Sequence, residues 1–234
     1  MHISTTRLDR LIHKKANIPK KAVRLLLAQK RVVVDGVIAT DISQIVHHFS
    51  QILMDDKIIQ HNTPHYIMLN KPIGTVSATK DLLHKTVIDL LPYPFKSDLH
   101  IAGRLDLNSS GLLLLTNDSR WSTKLCLPEA NTVKHYRVTL EHPISDEYIS
   151  AFAGGMYFPY EDITTKPVTL KITSSHVAEL ALTEGKYHQI KRMFGRFRNP
   201  VIKLHRFAIG GISLDTKLKP GGHRPLRAEE IRKC

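Results

Sequence analysis

A single carboxylate in this sequence stands where a polar turn meets a strongly apolar segment. Asp106 lies in the turn, and four consecutive leucines, residues 112–115, follow it. A short apolar run bounded by turn residues is typical of a buried strand, which would hold Asp106 on a rigid element. Arg104 would favour the charged form of the carboxylate, which suits a nucleophile better than a general acid. The spacing leaves a second interpretation open, in which Asp106 only caps the turn or pairs with Arg104.

Lysine and arginine strongly outnumber the acidic residues. The chain of 234 residues has a formal net charge of +13 and a pI of about 9.8. An excess of this size indicates a polyanionic partner. The positive charge is concentrated in residues 1–31, with nine Lys and Arg against one Asp, and in residues 186–206, with seven and no acid. Because there is no Lys-rich low-complexity tail, we expect both basic segments to be folded elements that contact one long polyanion.

Several classes of protein are excluded by what the sequence lacks. No apolar run approaches the roughly 18 residues of a membrane span, and the first residues lack the apolar segment of a signal peptide. Two cysteines, Cys126 and Cys234, make no disulfide framework, so we expect a cytoplasmic protein. There is no P-loop, dinucleotide fingerprint or Cys/His set at zinc spacing, and the 14 histidines are scattered, so we expect no cofactor and no metal.

The first 60 residues are predicted to form a compact domain of helices and short strands. Thr6 is expected to cap a first helix, and Pro19 is expected to open a second. The Asp35-Gly36 turn predicts a valine-rich hairpin over residues 32–39, and a further strand is predicted at residues 57–59. Basic side chains surround the apolar side of both helices.

The rest of the chain alternates strands and helices without a repeating period, which favours an α+β fold with a mixed sheet over a doubly wound parallel one. Residues 61–65 have the composition of a linker, so the predicted domains are residues 1–60 and 66–234. The predicted strands lie near residues 66–70, 112–116, 134–141, 167–173, 176–183 and 201–209. The predicted helices lie near residues 86–91, 119–126, 145–153 and 187–197.

Four segments of the larger domain together resemble the ribosomal RNA pseudouridine synthases, and most closely their small-subunit branch. They are residues 68–74, 103–106, 134–138 and 184–194, and the likeness continues through residues 204–212. In the N-terminal domain, the two basic helices and the hairpin resemble the alpha-L motif, an S4-like RNA-binding domain. The resemblance implies an α+β protein in which this small domain precedes a synthase domain, whose mixed, largely antiparallel sheet is flanked by helices.

The resemblance also implies an activity, the isomerisation of a uridine in 16S ribosomal RNA to pseudouridine without cofactor or metal. Asp106 matches the aspartate that acts as nucleophile or as a base on the ribose, and the sequence does not decide between these two roles. Tyr136 matches the aromatic residue that stacks on the uracil. Lys191 matches the cation that pairs with the aspartate, although Arg192 could substitute for it, and Leu204 matches an apolar residue under the pocket.

Further basic residues are candidates for contacts with the RNA backbone. We expect Arg104 to contact the extruded nucleotide or to orient the turn, and Lys71 and Arg196 to bind phosphate groups. In the N-terminal domain the candidate docking residues are Lys20, Lys21 and Arg24. The partner is expected to be small-subunit ribosomal RNA, free or in a partly assembled particle, and the protein is expected to be a monomer.

Three alternatives stay open at this stage. The chain could act on large-subunit ribosomal RNA, because both branches share the catalytic segments. It could be a non-catalytic ribosome-assembly factor that binds RNA only, although such a protein would not need Asp106, Tyr136 and Lys191 together. An Asp-dependent nucleoside hydrolase is disfavoured, since the second carboxylate expected near a glycosidic bond is missing.

Overall fold

The computed structural model describes residues 5–233 and divides the chain into two compact units, Met1–Pro64 and His65–Cys234. The smaller unit contains two helices and six short strands. Its elements are β1 (Thr6–Arg7), α1 (Leu8–Ala16), α2 (Lys20–Ala28), β2 (Val32–Val34), β3 (Val37–Ile38), β4 (Ile45–Val46), β5 (Ile52–Met54) and β6 (Lys57–Gln60). The helices pack their apolar sides against a four-stranded antiparallel sheet of order β3-β2-β5-β6.

The start of the first helix differs from the prediction. Thr6 does not cap it, because Thr6 and Arg7 form a short strand paired with Ile45 and Val46. The helix begins at Leu8 instead, with Arg7 as the residue before the first turn. The hairpin predicted from the Asp-Gly turn does form, as strands β2 and β3.

The larger unit is built on a mixed, mostly antiparallel sheet of nine strands, as the sequence predicted. The elements in chain order are β7 (Tyr66–Lys71), β8 (His100–Ala102), β9 (Ser110–Thr116), α3 (Ser119–Cys126), β10 (Lys134–Leu140), α4 (Glu147–Ala153), β11 (Tyr157–Phe158), β12 (Ile163–Thr164), β13 (Thr169–Ser174), β14 (Val177–Leu182), α5 (Gln189–Gly195), β15 (Val201–Ile209), β16 (Ile212–Ser213), β17 (His223–Pro225) and α6 (Ala228–Arg232). The main path of the sheet has the order β13-β14-β10-β15-β9-β7-β17, while β16 pairs with β15 and β8 pairs with β9.

One strand contact in this sheet is parallel and short. The backbones of β9 and β15 pair only at His205–Ser110 and Arg206–Gly111. A side chain at Gly111 is impossible, since a Cβ there would lie 2.2 Å from the carbonyl oxygen of Arg206 and the residue has φ +107°. Glycine therefore permits the close approach of two backbones beside the predicted site.

The helix predicted near residues 86–91 does not form. These residues make a turn in which the Asp89 carboxylate accepts hydrogen bonds from the backbone N–H and the hydroxyl of Thr86. Pro92 follows directly, and the residue before a proline is driven out of the helical conformation. Val87, Ile88 and Leu91 are nevertheless buried in the main core. The spacing of these apolar residues therefore indicates that the segment is buried, although the segment is not a helix.

The longer predicted elements match closely. Helix α3 has the predicted bounds, because the Asp118 carboxylate accepts bonds from the first backbone N–H groups of the helix. Strand β9 is buried along almost its whole length, as its four leucines indicated. Within residues 5–233, no helix has both the length and the apolar character needed to cross a membrane.

Candidate active site

Asp106 lies in the loop that joins two paired strands. Strand β8 pairs antiparallel with β9, and residues 103–109 connect them. We call this segment the Asp106 loop. Gly103 begins it with φ +86°, a conformation that favours glycine, and the Ser77 hydroxyl bonds to both the backbone N–H and the carbonyl of Leu105. The loop is thus fixed at its start and at its centre.

Lys71 supports the Asp106 loop from inside the protein. Its side chain is fully buried, and its ammonium donates to the carbonyls of Ser109 (2.8 Å), Pro72 (3.0 Å) and Leu107 (3.4 Å). The pKa of Lys71 is lowered to about 8, mainly by burial, with Arg206 acting in the same direction and the nearby Asp106 carboxylate in the opposite one. The prediction that Lys71 binds phosphate is wrong, because it has no surface that could meet a ligand.

Arg206 makes a second buried contact with the same loop. Its guanidinium donates to the carbonyls of Leu112 (2.9 Å), Gly103 (2.9 Å) and Arg104 (3.3 Å), and to the hydroxyl of Tyr136 (3.4 Å). The side chain is only 1% exposed, so these acceptors replace water for a charge that would be costly to bury unpaired. Arg206 therefore connects the Asp106 loop, strand β9 and strand β10.

The opposite side of the loop presents the carboxylate to solvent. Asp106 forms ion pairs with Lys191 Nζ and His188 Nε2, each at 3.4 Å, and its side chain is 36% exposed. Lys191 lies in the first turn of α5, and His188 immediately precedes that helix. Arg104 is not the cation beside Asp106 that the sequence led us to expect. Among the described residues no ion pair links those two, and Arg104 is exposed.

A cavity of about 310 Å³ opens over the carboxylate. Tyr136 forms one wall, at a point where the pairing of β10 with β15 shifts by one residue, a bulge that redirects side chains. Its ring is 7% exposed, and Leu182, Ile190 and Leu204 add an apolar surface beside it. The structure thus brings five predicted site residues to one cavity: Arg104, Asp106, Tyr136, Lys191 and Leu204.

Two other predicted residues of the larger unit, Arg192 and Arg196, do not line this cavity. Arg192 pairs with Glu161 and lies over the ring of Phe158 at 4.0 Å, so it is not the partner of Asp106. Arg196 is exposed at the end of α5. Lys20, Lys21 and Arg24 are exposed on α2 of the smaller unit.

Sequence reasoning did not identify two residues that contact the Asp106 loop or its carboxylate. Arg206 lies two residues from each of the buried residues Leu204 and Ala208 along β15. Side chains spaced by two share one face of a strand, so this periodicity could have predicted that Arg206 is buried. The proximity of His188 to Asp106 depends on a left-handed backbone conformation, φ +49°, for which the sequence carries no signal. Over residues 5–233, no group of three or more His, Cys, Asp or Glu side chains is placed to hold a metal ion.

Comparison with known proteins identifies the family. The RNA pseudouridylate synthase family model matches residues 65–195, which include the Asp106 loop, Tyr136 and Lys191. The chain belongs to this family. It is 46% identical to the ribosomal small subunit pseudouridine synthase A of Pseudomonas aeruginosa, over 96% of this chain and 98% of that protein. Identity to the protein of the same name from Escherichia coli is 39%, with the same coverage.

A solved structure supports the same assignment. The crystal structure of a pseudouridylate synthase superimposes with a TM-score of 0.71 and 36% identity, covering 97% of this chain and 98% of that one. The likeness extends over both units and not only over the segment around Asp106. The family assignment predicted from the four sequence segments is therefore confirmed, and the protein is a pseudouridine synthase.

Proposed function

We propose that this enzyme isomerises one uridine of small-subunit (16S) ribosomal RNA to pseudouridine, and that Asp106 is the catalytic carboxylate. The observation that carries the proposal is the position of Asp106, held by a buried scaffold and opening into a cavity with an aromatic wall. Its volume is near the lower end of the range of about 300–1,000 Å³ typical of ligand pockets. That size suits one extruded nucleotide, and a base inside a duplex could not reach the carboxylate.

The reaction conserves every atom of the nucleotide. The bond between N1 of uracil and C1′ of ribose breaks, the uracil turns, and a bond between C5 and C1′ forms. The proton on C5 leaves and N1 gains one, so no oxidant or reductant is consumed. Asp106 acts either as the nucleophile or as a base on the ribose, and both roles require an ionised carboxylate. The Lys191 ammonium lies 3.4 Å from this carboxylate, and His188 Nε2 lies at the same distance.

The neighbouring residues hold the substrate. We assign Tyr136 to stacking against the uracil, a contact worth about 1–3 kcal/mol per base. Leu204 packs beneath the base, and Arg104, exposed at the cavity, contacts the backbone of the extruded nucleotide. Arg192 and Arg196 are assigned to phosphate contacts farther along the RNA. The positions of Tyr136, Leu204 and Arg104 around one cavity support their assignments.

The substrate assignment is supported by the names of the relatives, which are small-subunit synthases at 39% and 46% identity over 96% of this chain. A pseudouridine map of ribosomal RNA from cells lacking this gene tests it, using carbodiimide modification and primer extension. We expect one small-subunit position to lose its pseudouridine. A loss confined to large-subunit RNA would overturn the substrate assignment.

Substituting the carboxylate tests the chemistry separately. The variant Asp106→Asn keeps the size of the side chain but removes the negative charge. We expect it to make no pseudouridine and to bind RNA with nearly unchanged affinity, since Asp106 contributes little to backbone recognition. Wild-type enzyme restores the missing position in the mutant cells, and Asp106→Asn does not. An Asn variant that still isomerises uridine would disprove the catalytic role.

We propose further that residues 1–60 form an S4-like RNA-binding domain, joined by a linker at residues 61–65, and that the enzyme works as a cytoplasmic monomer. The exposed side chains of Lys20, Lys21 and Arg24 on α2 are assigned to phosphate contacts.

Charge reversal on α2 tests this assignment. For Lys21→Glu with Arg24→Glu, we expect weaker RNA binding and a plot of log affinity against log salt that is less steep by about one unit per lost contact. The same slope as wild type would exclude α2 from the RNA interface.

A further inference from the structure

Tyr187 is a large aromatic residue left in solvent at the edge of the cavity. Its side chain is 76% exposed, yet the residue contributes to the cavity lining beside Asp106. One face of its ring is covered by the imidazole of His188, with ring centroids 4.0 Å apart and the planes inclined by 14°. The other face is open.

The backbone brings these two rings together. Consecutive side chains point to opposite faces of a strand and diverge on a helix, so neighbouring residues rarely stack in regular structure. His188 has a left-handed backbone, φ +49°, just before α5 begins. Such a conformation is costly for a residue other than glycine and persists where its surroundings hold it. Here the ion pair between His188 and Asp106 contributes to that restraint.

The stacked pair extends the cavity outwards as a flat surface. His188 contacts the carboxylate, and Tyr187 lies one ring beyond it in the direction of solvent. Arg104 and Lys186 also line the cavity and supply positive charge. A flat aromatic ring beside cations is how proteins hold single-stranded RNA, since every base offers a face for stacking and every nucleotide a phosphate.

We propose that the open face of Tyr187 stacks on the base adjacent to the target uridine. Extruding one nucleotide breaks its stacking on its neighbours, so the adjacent base loses a partner at the moment the uridine enters the cavity. Tyr187 replaces that partner and His188 supports the ring from behind. This role rests on the proposed function and adds a determinant of RNA binding to it.

The test uses the full-length enzyme and a synthetic stem-loop around the uridine identified by mapping. The intact RNA is compared with two abasic RNAs. One lacks the base on the 5′ side of the target uridine, and the other lacks the base on its 3′ side. With the intact RNA, we expect Tyr187→Ala to raise KM by about 5-fold to 150-fold, the range that one stacked base implies. Tyr187→Phe keeps the ring and stays close to wild type. Tyr160→Ala is the matched control, because Tyr160 is 96% exposed and does not line the cavity.

The abasic RNA decides between stacking and an indirect effect. If Tyr187 stacks on the adjacent base, removing that base raises the KM of wild type to the value of Tyr187→Ala, and the variant loses nothing more. Equal losses of kcat on both RNAs would instead mean that Tyr187 only positions His188, which would overturn the proposal. No change in KM for Tyr187→Ala would overturn it as well.

A spectroscopic measurement locates the same contact. We place 2-aminopurine at either neighbour of the uridine and expect fluorescence quenching with wild type and Tyr187→Phe, but not with Tyr187→Ala. Equal fluorescence with all three would contradict stacking. If wild-type enzyme makes no pseudouridine in small-subunit RNA, the proposed function itself fails, and that result is distinct from either outcome at Tyr187.

Discussion

The Asp106 loop is held in different ways on its two sides. On the buried side, Lys71 and Arg206 are almost completely excluded from solvent. Both donate to backbone carbonyls in or beside the Asp106 loop, among them those of Gly103, Ser109 and Leu112. On the cavity side, Lys191 and His188 lie 3.4 Å from the Asp106 carboxylate and remain partly exposed. The two buried cations bind the main chain, whereas Lys191 and the His188 imidazole contact the reactive carboxylate.

The buried contacts determine the position of the loop, and the exposed contacts act on the charge of the Asp106 carboxylate. A buried guanidinium or ammonium surrounded by carbonyls has few alternative arrangements, so it fixes where the loop lies. A partly exposed ion pair contributes little to stability, typically about 0–1 kcal/mol, but it acts directly on the charge of the carboxylate. The two buried cations and the two partly exposed side chains should therefore respond differently to substitution.

The largest effect is expected from Arg206→Leu. The change leaves three backbone carbonyls and the Tyr136 hydroxyl without their donor, and unsatisfied buried groups cost about 1–3 kcal/mol each. We expect the free energy of unfolding, measured by urea denaturation, to fall by about 3 kcal/mol or more, and activity to fall with it. The exposed Arg104→Leu should shift it by less than about 0.5 kcal/mol. If the two variants unfold at the same urea concentration, Arg206 does not fix the loop.

A second variant should change activity and leave stability almost unaltered. Lys191→Met removes the cation beside Asp106, and losing one preorganised electrostatic contact in an active site costs about 100-fold in kcat. Its free energy of unfolding should fall by no more than about 1 kcal/mol, because the pair is partly exposed. Lys191→Arg keeps the charge and should recover most of the activity. A loss of stability as large as that of Arg206→Leu would remove the distinction between the two sides.

Per pH unit, the smallest effect is the dependence of stability on pH at Lys71. The pKa of Lys71 is about 8 in the folded protein and 10.5 for an ordinary lysine, so between these limits the unfolded chain binds more protons. Stability should therefore rise with pH in this window, by up to about 1.4 kcal/mol per pH unit. Subtracting the pH profile of Lys71→Met from that of wild type isolates this contribution, and the exposed Lys203→Met serves as control. A difference that falls with rising pH would contradict the burial of an ammonium.

The sequence predicted the residues on the cavity side of the Asp106 loop better than the cations on its buried side. Asp106, Tyr136 and Lys191 were found through local motifs, and the cavity contains all three. Lys71 was expected at the surface because lysine usually is, but β7 is buried along nearly its full length. Which lysine lies inside depends on the strands that flank β7, and those contacts are distant in sequence.

Local signals also differed in what they could decide. The predicted bounds of α3 match the observed ones, and the Asp118 carboxylate that caps its first turn is adjacent to that turn in sequence. The apolar spacing over residues 86–91 predicted a helix where only a buried turn forms, because Pro92 acts on the same residues. Short strands such as β8 and β17 were not predicted, since their pairing with β9 and β7 is decided by the whole sheet.

The short parallel contact between β9 and β15 makes the site a junction of two half-sheets. One half contains β13, β14, β10 and β15, with Tyr136 and Leu204, and the other contains β9, β7 and β17 next to the Asp106 loop. Two residue pairs join them, at a glycine that tolerates no side chain. A hinge rotation at this seam would alter the distance between Asp106 and Tyr136 directly. Arg206 crosses the seam with hydrogen bonds to the carbonyls of Leu112 and Gly103, and it therefore ties β15 to the half-sheet beside the Asp106 loop.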